Sequence, residues 1–114
     1  MKSYFNSLIF IVSLFTSYAV CAVDYSSEIQ PILTTNCTGC HGGSGGLTLD
    51  SYSNLIAGNV LISGNSTESH IIQKLKGTAS GAQMPKNAAA LSESTINLIA
   101  TWIDEGALEE PLDN

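Results

Sequence analysis

The stretch Asn36–Gly43 reads NCTGCHGG, with two cysteines three positions apart and a histidine directly after the second. Three chemistries use such a group. A Cys-x-x-Cys pair serves as a redox dithiol, the same residues supply part of a zinc site, and Cys-x-x-Cys-His attaches a c-type haem. The third accounts for the spacing. Each thiol adds across one vinyl group to form a thioether, so Cys37 and Cys40 must both reach one edge of a porphyrin. Two intervening residues on a helical turn permit that reach, and His41 then brings its imidazole beneath the ring to iron.

The rest of the chain weighs these readings. Thioredoxin-like dithiols sit beside the strands of an α/β sheet, and no such pattern occurs here. Structural zinc needs four ligands, and Cys37, Cys40, His41 and His70 are the most on offer. Cys40 and His41 are adjacent, so their side chains point apart, which suits a tetrahedral site badly. A haem iron of this type takes a second axial ligand. Met84, in GAQMP at Gly81–Pro85, is the lone methionine beyond the N-terminal segment. Methionine more often fills a gap in a core, but beside Pro85 in a polar loop it has no core pattern. Pro85 restricts the backbone and keeps that loop from turning helical. His70 is the rival ligand, and an open five-coordinate iron is the third option.

Four helical stretches must position these residues. Tyr25, Ile29, Ile32 and Leu33 form one apolar stripe leading into the cysteine cluster, with Pro31 kinking the helix or marking its first turn. A short second helix has Asp50 as its N-cap, buries Tyr52, Leu55 and Ile56, and ends at Gly58. The third begins near Asn65 with Glu68 completing a capping box, buries Ile71, Ile72 and Leu75, and stops at Gly77. Ser92 caps the fourth. There Leu91 staples to Ile96, and Ile96, Ile99, Ala100 and Ile103 form a helical face widened by Leu98 and Trp102, with Gly106 as the exit. Trp102 and Tyr52 are candidates for haem neighbours, although ordinary packing is the commoner role for each. Two long loops, 42–49 and 78–90, exceed what connection alone requires. Gly42, Gly43, Gly45 and Gly46 imitate a phosphate loop only superficially, because no strand precedes them and no Walker lysine follows.

Residues 1–22 read as a signal peptide. Lys2 precedes the apolar run Leu8–Phe15, and Val20-Cys21-Ala22 supplies a cleavage pattern, with Ala19 as the alternative site. The run is short of the roughly 20 residues that span a bilayer. An uncleaved anchor is the weaker reading, and lipoprotein processing at Cys21 is disfavoured by Val20. Residues 23–114 then form one domain of about 92 residues, small for a self-sufficient core. Its cysteines are Cys37 and Cys40 alone. The net charge of −6 becomes −7 once Lys2 is lost, which excludes nucleic acid and anionic membranes as partners and fits basic partner surfaces.

NCTGCHGG, followed by GGLTLDSYSNLIAG, SGNSTESHIIQKL, MP and LSESTINLIATWIDEGA, resembles the single-haem class I cytochrome c fold, and more narrowly planctomycete-type cytochrome c domains. The resemblance runs from Tyr25 to Leu108. It implies an all-α bundle of about four helices around one covalently bound haem c, with the first and last helices crossing. It implies thioethers at Cys37 and Cys40 and axial ligands His41 and Met84. Two positions depart from the pattern: Lys86 stands where a second proline is common, and Ser63-Gly64-Asn65 replaces Pro-Gly-Asp. The expected protein is a periplasmic, monomeric electron carrier exchanging electrons with redox proteins, with no catalysis of its own. The alternative is a haem subunit of a periplasmic oxidoreductase or a peroxidase-like enzyme with a labile sixth ligand. A dihaem peroxidase would need a second Cys-x-x-Cys-His, and a gas sensor would need an output domain.

Overall fold

The computed structural model describes residues 22–42 and 46–111. Most of the expected signal peptide, together with Gly43 and Gly45, lies outside them. A π-helical turn, Tyr25–Ile29, runs directly into α1, Gln30–Asn36. Then follow α2, Tyr52–Ala57, α3, His70–Lys76, and α4, Glu93–Asp104. Among the described residues there is no strand, only an isolated antiparallel bridge between Gly42 and Thr48. The expected all-helical architecture is present.

Pro31 explains the π-helical turn. In a regular helix its ring would collide with the carbonyl four residues back, and its missing N–H would leave that carbonyl unpaired. The wider i→i+5 turn relieves the conflict just before the proline, with the Gln30 N–H bonded to the Tyr25 carbonyl. It also keeps Tyr25, Ile29 and Leu33, spaced four apart, on one buried face. Asp24 caps the turn, accepting from the Ser27 N–H at 2.9 Å and the Ser27 hydroxyl at 2.7 Å. Those bonds hold its carboxyl below the usual carboxylate range.

The other helices depart from expectation mainly at their starts. Ser51, not Asp50, caps α2 by accepting from the Asn54 N–H at 3.2 Å, while Asp50 takes the Asn54 side-chain amide at 2.8 Å. Ile56 is 41% exposed, so α2 buries Leu55 fully and Tyr52 only in part. Asn65 caps a turn rather than a helix, accepting from the Glu68 N–H at 3.2 Å. The helix proper begins after Ser69, which is fully buried. Its hydroxyl accepts from the Ile62 N–H and donates to the Asn65 carbonyl, both at 2.8 Å. Ser92 caps α4 as expected, and Gly77 and Gly106 both adopt positive φ at the helix exits.

The core joins both ends of the domain. α4 packs against α3 and against the π-helical turn, so the first and last helical segments meet. At that crossing Tyr25 lies 5.3 Å from Trp102 and 5.2 Å, edge-on, from Tyr52. Trp102 donates to the Leu108 carbonyl at 2.9 Å, and Tyr52 to the Ala107 carbonyl at 2.8 Å. Both therefore fasten the C-terminal segment. Ser63 donates to the Gly106 carbonyl at 2.6 Å, a bond that a proline at this position could not make.

Candidate functional site

The cysteine cluster is a continuation of α1 into a tight turn. The Cys37 N–H closes the helix on the Leu33 carbonyl at 2.8 Å, and the Cys37 carbonyl accepts from His41 at 2.7 Å and Cys40 at 3.2 Å. Asn36 and Thr38 side chains satisfy the carbonyls of Ile32 and Thr34, at 2.8 and 2.9 Å. The far side is pinned as well, because the His41 carbonyl accepts from the Leu49 N–H at 2.8 Å. This turn makes Cys37 half-buried and Cys40 exposed, and the two are not joined as a disulfide. Burial pushes the Cys37 thiol up, with a smaller contribution from neighbouring Cys40.

Met84 is positioned by the end of α3. Its N–H donates to the Lys74 carbonyl at 3.0 Å. The Gln83 side chain donates to the Leu75 carbonyl at 2.8 Å, and the Lys74 ammonium to the Ser80 carbonyl at 3.1 Å. Helix-terminal carbonyls without intrahelical partners need donors from elsewhere; here the methionine loop supplies them. The long loop is therefore an ordered brace that fixes one residue.

Two neighbouring cavities share Cys37, His41 and Met84 as wall residues. The first, of about 190 Å³, is walled largely by Leu33, Leu47, Leu49, Val60, Ile71 and Ile99. The second, of about 340 Å³, opens beside Cys40, Pro85 and Lys86. Together they reach the ~300–1,000 Å³ of ordinary ligand pockets. The structure thus brings three of the four proposed site residues to both cavities and the fourth, Cys40, to the second. His70, the rival ligand, is exposed, and it lines the first cavity together with Lys74. Their i, i+4 spacing on α3 was the available signal. Tyr52 and Trp102 line neither cavity.

The donor chemistry fits a haem. His41 Nδ1 is buried without a hydrogen-bond partner, a state that costs about 1–3 kcal/mol unless a ligand or rearrangement satisfies it. An imidazole, a thioether and a half-buried thiol edge a cleft whose inner wall is largely apolar, which matches a large apolar ring carrying a metal at its centre. Zinc is served less well. Among the described residues no three His, Cys, Asp or Glu side chains converge to hold a metal ion.

A family model described as Planctomycete cytochrome C matches residues 37–88, from the first motif cysteine to just past Met84. The first and last helical segments lie outside the matched span. No curated protein and no solved structure matches the chain.

Proposed function

On the premise that this chain carries a cytochrome c-like domain, we propose that the protein is a one-electron carrier holding a single haem c. Cys37 and Cys40 would form the two thioethers, and His41 and Met84 would be the axial ligands. The observation that carries this reading is the convergence of Cys37, His41 and Met84 on one apolar cleft. When bound, the haem supplies the Fe(III)/Fe(II) couple. The chain's part is to hold that group and exclude water from it. The turn at 37–41 would present the imidazole beside both thiols, and the brace from α3 holds the backbone of Met84 through its N–H. Held by His41 and Met84, the iron would have a raised reduction potential.

Export to the periplasm fits this reading, because residues 1–22 have the character of a leader. Cleavage would leave residues 23–114 as the working domain, acting as a monomer with redox proteins as its partners. The test is optical. The oxidised protein, purified from a host able to attach haem, is expected to show a weak near-red sulfur-to-iron band that Met84→Ala abolishes. Intact mass should report one haem. Ready carbon monoxide binding by the unmodified protein would instead favour the alternative of an oxidoreductase subunit with a labile sixth ligand.

A further inference from the structure

The chain is anchored just ahead of its π-helical turn. The Val23 N–H donates to Glu105 Oε1 at 2.9 Å, across 82 positions of sequence, and the Val23 side chain packs against the core. The next residue is fixed as well. Asp24 caps the turn, and its own N–H donates to Glu28 Oε2 at 2.8 Å. Glu105 stands at the exit of α4, where aligned peptide dipoles favour a cation. α4 ends on Asp104 followed by Glu105, with no basic residue in its last turn. The donors that reach its closing carbonyls, from Gly64, Glu105, Gly106 and Ala107, are neutral backbone N–H groups. The Asp104 carboxylate accepts from the Ser66 N–H at 2.8 Å and the Ser66 hydroxyl at 2.9 Å, which are neutral too. Beyond residue 22 the sequence has no arginine, and its lysines, Lys74, Lys76 and Lys86, lie on α3 or beside the methionine.

We propose that leader removal supplies the missing cation: hydrolysis of the Ala22–Val23 bond frees an α-ammonium on Val23, which the Glu105 carboxylate holds as a latch between the first and last helical segments. Water adds across the amide, leaving a carboxylate on Ala22 of the leader and an ammonium on Val23. A leader peptidase of the host catalyses the step, and nothing is oxidised or reduced. The hydrogen bond already present becomes charge-assisted, which roughly doubles its strength. The new charge also sits at the end of α4 that favours it. Cleavage after Ala19 would instead leave Val20, Cys21 and Ala22 ahead of Val23 and keep its nitrogen an uncharged amide. The inference rests on the export reading and is independent of which groups ligate iron.

Thermal melts of the haem-loaded protein, exported and processed by a competent host, test the latch as a double-mutant cycle. One change is Glu105→Gln, which keeps an accepting oxygen and removes the charge. The other is a glycine inserted between Ala22 and Val23. Processing after Ala22 then places the ammonium one residue further out and leaves an amide at Val23. Intact mass identifies the N-terminus of each form, and the visible spectrum should be the same in all four. Each single change should lower the midpoint by about 2–6 °C in about 10 mM salt. The doubly changed protein should melt no lower than the singles. The losses should shrink by at least about half in about 0.5 M salt. Additive losses, losses indifferent to salt, or an inserted form that melts with the parent would overturn the latch and leave export and the carrier intact. A parent mass that retains residues 1–22, or that begins at Val20, overturns the latch together with the cleavage site on which it depends.

Discussion

At the scale of single residues, Tyr25 shows how burial becomes a pH limit. Its ring is 3% exposed at the crossing of the first and last helical segments, and its hydroxyl donates to the Gln30 side chain. Desolvation pushes its pKa up from 10.0 to about 12, with smaller pushes from Glu109, Tyr52 and Asp50. The buried site thus favours the neutral phenol. That preference stabilises the fold fully below pH 10, where the unfolded chain also keeps its proton. It is lost as pH rises through about 12, because the unfolded state ionises first. Denaturant midpoints of Tyr25→Phe and its parent, measured from about pH 8 to 12, should therefore converge. Near pH 8 the variant should be weaker by about 1 kcal/mol for the lost hydrogen bond. Above pH 10 that gap should close or reverse, because phenylalanine cannot ionise. A constant gap across the range would contradict the burial argument.

At the scale of elements, Gly77 joins two jobs. Its φ of +77° ends α3, and the next residues begin the brace that fixes Met84. A Cβ there would stand 3.0 Å from the Gln83 side chain, whose amide holds the Leu75 carbonyl. Gly77→Ala should cost about 1–2 kcal/mol from the left-handed backbone alone. The methionine ligand should also be released on heating before the helices melt, with the near-red band fading below the far-UV transition. Coincident loss of both signals would show that the brace has no independent role. Such exits were legible in the sequence, because Gly77 and Gly106 follow periodic apolar runs. Helix starts were less so. Asp50 and Ser51 are both good caps and both bond Asn54, while the Ser69 hydroxyl, at the start of α3, is taken up by Ile62 and Asn65 instead of capping the helix. A six-residue helix such as α2 is too short for periodicity to fix its face, which is why Ile56 was misplaced. The candidate ligands were legible because each carries rare chemistry. Lys86 beside the cleft was noticed only as a departure from proline, since a surface lysine signals nothing until its neighbours are known.

At the scale of the whole molecule, the helices enclose a space they do not fill. Leu33 from α1, Ile71 and Leu75 from α3, and Ile99 from α4 all face the cavity of about 190 Å³. An apolar void costs about 24 cal/mol per Å³, so the upper bound here is about 4.6 kcal/mol, since the cavity is partly open. A domain of this length has a net stability of about 5–14 kcal/mol, so the void alone can consume most of the lower end. The buried, unpartnered His41 nitrogen adds about 1–3 kcal/mol. A ring that fills the cleft and satisfies the imidazole would remove both costs, and covalent attachment would keep it from leaving. Polypeptide produced without haem attachment should accordingly show weak far-UV helical signal and no sharp thermal transition, whereas the haem-loaded protein melts cooperatively. Changing Cys37 and Cys40 together to alanine should give the same disordered polypeptide in a host competent for attachment, which separates loss of haem from loss of the host machinery. If the haem-free chain instead proved fully helical with a sharp melt, the twelve apolar residues buried among the described residues would be a sufficient core by themselves, and the cleft would be an incidental gap in a protein stable without it.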